Sequence, residues 1–187
     1  LKHIKIHLEN LKVKSFKSGK TFFDWKVPDE WEIKDAWLKD ENGNTILSFK
    51  KNNLHVVGYS VPVNKKINLD ELQNHLHSRS DLEEAIPYVT SYYRDDWGFC
   101  ISHKERKNLK NGIYHAFINS RKYKGAINVG ELVLPGKNKS EILLSTNICH
   151  PAMANNEISG IALTTWLGKW LSSKNLNHTY RILFLPE

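Results

Sequence analysis

The stretch EILLSTNICHPAMANNEISGIALTTWLGKWL, residues 141–171, decides the fold class of this chain. Its first eight residues form a nearly continuous apolar run, which is typical of a strand buried on both faces of a sheet. After a loop, apolar residues recur at helical spacing between Ile158 and Leu171. Residues 180–185, YRILFL, predict a second buried strand. Strand, helix and strand in this order predict a parallel pair with a right-handed crossover, and therefore an α/β fold.

The carboxyl ends of these two strands carry polar side chains. His150 follows the first strand and Glu187 follows the second. Ligand-binding groups gather at this edge of a parallel sheet. An imidazole suits Zn²⁺ when an amide or carboxylate such as Asn156 or Glu157 lies nearby, because zinc accepts nitrogen and oxygen ligands at about 2.0–2.2 Å. Glu187 could take a proton from activated water and return it to a leaving amine.

Each of these residues also has an ordinary structural explanation. His150 could be a structural histidine with satisfied hydrogen bonds, and Asn156 could be a helix N-cap. Glu157 could be a carboxylate favoured by the helix dipole, and Glu187 a solvated strand terminus. Only their joint arrangement around two strand ends favours the functional interpretation.

The sequence before residue 125 has a different character. Residues 21–124 contain short strand patterns separated by turns, including a hairpin around Asn42–Gly43. We therefore expect a β-rich inserted domain at 21–124, with residues 1–20 and 125–187 forming parts of an α/β domain. Residues 56–63, VVGYSVPV, predict a strand that ends at a proline-limited edge, and Asn68 predicts the cap of a short helix.

Composition limits the classes of partner. The 187 residues are 40% hydrophobic, enough for one core or a core with a small satellite. No apolar stretch approaches the roughly 20 residues that span a bilayer, so we expect no membrane partner. The net charge is +7. Its lysines are scattered through turns and strand faces, which favours solvation over a nucleic-acid partner.

The cysteines and the chain ends give expectations about context. Cys100 and Cys149 are far apart in sequence, fit no CxxC pattern and make no disulfide framework, which favours a reducing, cytoplasmic location. The first residues do not form a signal peptide. Both ends look cut, so we expect the chain to be a fragment. His103 lies three residues after Cys100, but their side chains should project to opposite faces, so we expect a structural cysteine there.

The loop sequence STNICHPAMANNEISG, residues 145–160, resembles the metal loop of the M28-like zinc aminopeptidases, where His-x-Asp follows a strand and Asp-Asn-x-Ser-Gly supplies a second ligand. The chain is more similar still to bacterial aminopeptidase-like DUF4910/DUF2172 proteins, which are associated with polysaccharide biosynthesis. This resemblance rests on four blocks in order: SGKTFFDWKVPDEWEIKDAW, NNLHVVGYSVPVN, IPYVTSYYRDDWGFC and CHPAMANNEISG. It implies an aminopeptidase-like (phosphorylase/hydrolase-like) mixed sheet with helices, interrupted by the β-rich insert.

The resemblance also implies roles for individual residues. Asn156 takes the position of a ligand Asp, and Glu157 takes that of the following Asn. Ala152 stands where the family places an Asp that orients the histidine. Because a neutral amide bridges two ions poorly, this departure from the family pattern leads us to expect one zinc ion at most, with His150 as its surest ligand and Glu157 as the oxygen donor. The resemblance assigns Glu187 as the catalytic base and places further ligands beyond that residue.

Two hypotheses about function follow. The first is a zinc-dependent, aminopeptidase-like hydrolase of amide bonds that acts on a small peptide or an amino-sugar substrate. The second is a catalytically degenerate aminopeptidase fold that serves as a binding or scaffold protein in surface polysaccharide biosynthesis, as Ala152 and Asn156 suggest. A homo-oligomer is compatible with both hypotheses.

Overall fold

The computed structural model describes residues 1–150 and 153–186 and divides the chain into two compact units. One unit combines Leu1–Val27 with the residues from Gly125 onward, and the other is Pro28–Lys124. The helices are α1 (Lys2–His7), α2 (Leu69–Gln73), α3 (His103–Lys107) and α4 (Ser159–Ser172), with a 3₁₀ turn at Asn53–His55 and a π-helical turn at Ala154–Ile158. The strands are β1 (Lys12–Lys17), β2 (Thr21–Phe22), β3 (Trp25–Lys26), β4 (Glu30–Lys39), β5 (Thr45–Ser48), β6 (Val63–Asn68), β7 (Leu76–His77), β8 (Phe99–Cys100), β9 (Ile113–Tyr123), β10 (Ala126–Leu134), β11 (Glu141–Asn147) and β12 (Thr179–Leu185).

The first unit contains a mixed four-stranded sheet in the order β1-β10-β12-β11. Strands β11 and β12 are parallel, and their register runs from Glu141 opposite Thr179 to Asn147 opposite Leu185. The other pairs are antiparallel. Helix α4 connects the parallel strands and packs on the sheet. The predicted strand–helix–strand unit and the α/β class are therefore confirmed.

The core of this unit lies between one sheet face and helices α1 and α4. Strand β12 alternates, so that Ile182 and Phe184 are fully buried while the residues between them face the other side. Gly168 of α4 allows close packing, because a Cβ there would lie 3.0 Å from the Ile182 Cδ1 atom. The buried apolar residues of this core are Ile4, Leu8, Leu11, Leu132, Leu134, Leu171, Ile182 and Phe184.

The first domain boundary differs from the expected one. Residues 21–27, which we expected in the insert, group with the α/β unit. They form the β2–β3 hairpin, and the Phe22 ring meets the Phe16 ring of β1 edge-on at 5.3 Å between centroids. The Gly19 amide also donates a hydrogen bond to the Val27 carbonyl, and Val27 is 2% exposed. These contacts hold the hairpin against β1, a tertiary effect that turn and strand patterns cannot predict.

The second unit is built on an antiparallel sheet in the order β5-β4-β9-β6. As predicted, a turn at Asn42–Gly43 joins β4 and β5, and Gly43 has a φ of 83°. Asn68 caps α2 by accepting a hydrogen bond from the Glu71 amide, which confirms the predicted cap. Its separate core consists of Ala36, Leu38, Leu47, Val56, Val63, Ile67, Leu72, Leu76, Trp97, Phe99, Ile101, Tyr114, Ala116 and Ile118.

The strand predicted at residues 56–63 is wrong. Only isolated bridges form there, between Val56 and Phe99 and between Gly58 and Thr90. Tyr59 has a left-handed φ of 66°, which breaks the pleat of an extended strand. Regular pairing begins only at Val63, where β6 starts.

An ion network lies on the sheet of the first unit. Glu131 of β10, whose side chain is 12% exposed, pairs with Lys14 of β1 and with Arg181 of β12. The hydrogen bond from Lys14 lowers the pKa of Glu131 below its ordinary value; burial opposes this shift, and Arg181 reinforces it. Arg181 also binds Glu141 of β11 through two hydrogen bonds. The network therefore connects four neighbouring strands.

We expect Glu131→Gln to reduce stability at neutral pH and to lose this effect in acid. A carboxyl group whose pKa is lowered on folding stabilises the protein above its unfolded pKa, and that contribution disappears as pH falls through the folded pKa. Urea denaturation over a pH series should show the two proteins converging only below the ordinary glutamate pKa of about 4.3, as pH falls through the lowered pKa of the folded protein. The exposed Glu9→Gln is the control. A stability difference that stays constant with pH would contradict the prediction.

Within residues 1–150 and 153–186, no helix is both long enough and apolar enough to cross a bilayer.

Candidate metal centre

The carboxyl end of β11 leads directly into the candidate site. Beyond Asn147, the Ile148 amide donates a hydrogen bond of 2.8 Å to the Leu185 carbonyl at the end of β12. The parallel register therefore continues one residue past the strand, and it fixes where the chain leaves the sheet. Cys149 and His150 follow at once. Both are partly buried.

The chain returns through the π-helical turn Ala154–Ile158 and enters α4. Such turns inside helices are rare and occur often at functional sites. Glu157 in this turn is 3% exposed, whereas Asn156 is exposed. Gly160 in the first turn of α4 lies against β11, because a Cβ there would be 2.4 Å from the Thr146 Oγ1 atom. Only glycine lets the helix start this close to the strand.

The Glu157 carboxylate is held by the strand end. Its Oε2 atom accepts a 2.9 Å hydrogen bond from the Cys149 amide. Its Oε1 atom lies 3.6 Å from Cys149 Sγ and 3.0 Å from His150 Nδ1. Burial raises the pKa of Glu157, but hydrogen bonds from the amide and thiol of Cys149, together with the charge and amide of His150, outweigh it and lower that pKa. A buried negative charge therefore faces the histidine.

The imidazole of His150 touches a second oxygen donor. Its Nδ1 atom lies 3.1 Å from Asn156 Oδ1, and the side chain keeps 15% of its surface exposed. His150, Asn156 and Glu157 were each proposed as metal ligands from sequence, and the fold places them together at the end of β11. Their roles as ligands remain predictions.

Cys149 is the residue that sequence reasoning missed. The donor atoms of Cys149, His150 and Glu157 all lie within 4.8 Å of one another, and no other such group of three occurs in the part of the chain that the structure describes. Sulfur, nitrogen and oxygen are the atoms that zinc accepts in proteins, so the donor set fits this metal. The sequence feature that could have identified Cys149 is the adjacent Cys-His pair at the end of a strand. A search for spaced cysteine pairs does not detect it.

Two residues of the predicted site lie outside the described residues. These are Glu187, proposed as the base, and Ala152, which marks a departure from the family pattern. The sequence predicts that β11 and β12 end at the same edge of the sheet. Their last residues, Asn147 and Leu185, do pair with each other there. The role of Glu187 stays a prediction.

Cys100, in the second unit, has a different environment. It is fully buried, and burial raises the pKa of its thiol to about 12. His103 instead contacts Ser78, with 3.1 Å between its Nδ1 atom and the serine Oγ atom. Cys100 is therefore an inert core residue, as expected.

An apolar pocket of about 310 Å³ opens on the α/β unit near the carboxyl end of β12. Strands β1 and β10, the β2–β3 hairpin and the end of β12 each contribute to it. It is lined by Phe16, Phe22, Trp25, Val27, Ile127, Val129, Leu185 and Pro186. Its lining is almost wholly hydrocarbon, so it suits an apolar group.

Comparison with known proteins agrees with this architecture. Residues 30–121 match the DUF2172 family, described as a domain of unknown function. A Clostridium acetobutylicum protein, named as a polysaccharide biosynthesis protein with an aminopeptidase-like domain, is 44% identical over 177 residues. That alignment covers 95% of this chain and 41% of the relative, so the chain spans less than half of that protein.

Solved structures give the fold. The crystal structure of a protein described as a peptidase from C. acetobutylicum superimposes with a TM-score of 0.89 at 42% identity, over 100% of this chain and 44% of that one. A zinc aminopeptidase from Bacillus subtilis gives 0.57 at 14% identity, covering 98% of this chain and 54% of its own. A peptidase M28 precursor from Shewanella amazonensis gives 0.61 at 10% identity, covering 98% and 56%. The chain therefore has an aminopeptidase-like fold of the M28 type and contains a domain of the DUF2172 family.

Proposed function

We propose that the protein is a zinc-dependent, aminopeptidase-like hydrolase of amide bonds. The observation that carries this proposal is the convergence of His150, Glu157 and Asn156 at the carboxyl end of β11. In parallel sheets this edge is where ligand and catalytic groups collect. The names of the similar proteins, which include zinc aminopeptidases, support the same class of reaction.

Residues of the loop between β11 and α4 would hold one zinc ion together. His150 supplies nitrogen and Glu157 supplies oxygen, while Asn156 contacts the metal or the substrate. Zinc, when bound, provides a Lewis acid that polarises a carbonyl and acidifies water. Because an amide oxygen carries no charge, Asn156 is a weak bridge between cations, and we assign a single ion.

Glu187 is assigned the proton-transfer role in this proposal. It follows β12 in sequence, and β12 is paired in parallel with β11, whose carboxyl end leads to His150. As a base it would accept the proton of the attacking water and then deliver it to the nitrogen of the leaving amine. Glu157 would meanwhile keep its place, because the Cys149 amide holds its carboxylate.

We propose that the apolar pocket beside Leu185 and Pro186 would receive an apolar part of the substrate. Its aromatic walls, from Phe16, Phe22 and Trp25, suit the apolar side chain of a short peptide. They equally suit the acyl group of an acylated amino sugar, which fits the polysaccharide role in the name of the relative. Both substrate classes contain an amide bond next to an apolar group.

The deciding experiment combines metal content and turnover in the full-length protein. We expect one zinc ion per chain, and hydrolysis of amino-acid amides or acylated amino sugars that stops with a chelator and returns with zinc. A folded protein without stoichiometric zinc would overturn the proposal. Stoichiometric zinc without hydrolysis of either substrate class would instead favour the degenerate binding or scaffold role.

A further inference from the structure

The Cys149 thiol and the His150 imidazole both contact the carboxylate of Glu157. The Cys149 Sγ atom and the Nδ1 atom of His150 both approach the same oxygen, Oε1 of Glu157. We infer that Cys149 is a thiolate ligand, so that Cys149, His150 and Glu157 form one mixed sulfur, nitrogen and oxygen metal site. This inference rests on the proposed function and extends it, because it names a ligand that the family resemblance does not supply.

Two of the three donor separations can be compared with those of a tetrahedral zinc centre. Zinc bonds sulfur at about 2.3 Å, histidine nitrogen at about 2.0–2.1 Å and carboxylate oxygen at about 2.0–2.2 Å. At tetrahedral angles these lengths separate sulfur from oxygen by about 3.6 Å and nitrogen from oxygen by about 3.4 Å. The observed separations from Glu157 Oε1 are 3.6 Å to Cys149 Sγ and 3.0 Å to His150 Nδ1. The third pair, Cys149 Sγ and a ring nitrogen of His150, lies within 4.8 Å.

The Glu157 carboxylate is oriented so that only one of its oxygen atoms, Oε1, would bond a metal ion. Its Oε2 atom is already engaged by the Cys149 amide, which leaves Oε1 directed at the thiol and the imidazole. Glu157 is 3% exposed, so the surrounding loop fixes the orientation of this carboxylate. A hydrogen bond of this kind to a ligand keeps it oriented and raises its affinity for metal.

Metal binding at this site would replace the thiol proton of Cys149. In the structure the thiol of Cys149 donates to Glu157 Oε1. The sulfur would hold zinc as the thiolate, so binding would release the thiol proton to solvent. Three protein ligands leave the fourth zinc position for water or substrate. Asn156 Oδ1 lies 3.1 Å from the His150 Nδ1 atom.

Cobalt(II) in place of zinc tests the sulfur ligand directly. Cobalt bound to a thiolate absorbs in the near ultraviolet through sulfur-to-metal charge transfer, whereas nitrogen and oxygen ligands give only visible bands. We expect the full-length protein to show this near-ultraviolet band at one cobalt per chain. Cys149→Ala should lose the band and keep weaker visible bands. Cys100→Ala, the matched control at the buried cysteine, should keep both.

The outcomes separate this inference from the proposed function. Cobalt bound with visible bands but no charge-transfer band would overturn the thiolate ligand and leave a zinc hydrolase standing. A band that persists in Cys149→Ala would also overturn it. No cobalt or zinc binding by a folded protein would overturn both. Circular dichroism of each variant establishes that a lost band reflects the ligand and not misfolding.

Discussion

Replacing Glu157 with glutamine is expected to weaken zinc binding by more than about 100-fold, because groups that only support a ligand are already worth about 10–100-fold. Glutamine keeps the shape of the side chain but removes the charge that faces His150 at 3.0 Å. Hydrolysis should fall with the bound metal. Competition with a chelator of known affinity measures the change in binding.

The matched control for this variant is Glu141→Gln. Glu141 is a second glutamate of the same unit, and it pairs with Arg181 on the sheet, in the ion network. The Glu141→Gln substitution should remove the ion pair with Arg181 and leave zinc affinity unchanged. Zinc binding that survives in Glu157→Gln would show that this carboxylate holds only the loop, through the Cys149 amide, and takes no part in binding the metal.

Phe184→Ala is expected to lower the free energy of unfolding by about 3–5 kcal/mol, the usual cost of truncating a buried aromatic residue. Phe184 is 0% exposed in the core between α4 and the sheet. It also packs against Gly130 of β10, where an added Cβ would lie 3.3 Å from the Phe184 Cβ. Removing the ring leaves a cavity beneath the strand that neighbours β11.

Hydrogen exchange of the β12 amides and urea denaturation measure this loss. Leu143→Ala is the control, because Leu143 lies on the adjacent strand and is 60% exposed. It should cost less than about 1 kcal/mol, since an exposed leucine gains little from burial. Equal losses in the two variants would contradict the assigned core.

The strand–helix–strand unit could be predicted because its local signals agree. The apolar runs of β11 and β12 and the helical periodicity of α4 each indicate one element type, and the short connections allow one topology. Residues 56–63 gave the opposite result. Their composition favours a strand, but Tyr59 has a left-handed backbone and the segment pairs with distant residues only at isolated points.

The candidate site was predictable only in part. His150, Asn156 and Glu157 follow from a strand end, a helix start and a family resemblance. Cys149 could not be assigned in the same way, because its role depends on which way its side chain points after β11. The structure supplies that direction through the 3.6 Å approach of Sγ to Glu157. The hairpin at residues 21–27 shows the same limit, since only tertiary contacts assign it to the α/β unit.

The loop between β11 and α4 is anchored at both ends, at Ile148 by its bond to Leu185 and at Gly160 by its contact with Thr146. A segment tethered in this way has a fixed span, so its donor atoms can be exchanged by single substitutions without displacing the backbone that presents them. We therefore expect substitutions among these donor atoms to change the proposed metal preference and to leave the scaffold the same. Insertions or deletions would have the opposite effect, because they would detach the helix from the strand.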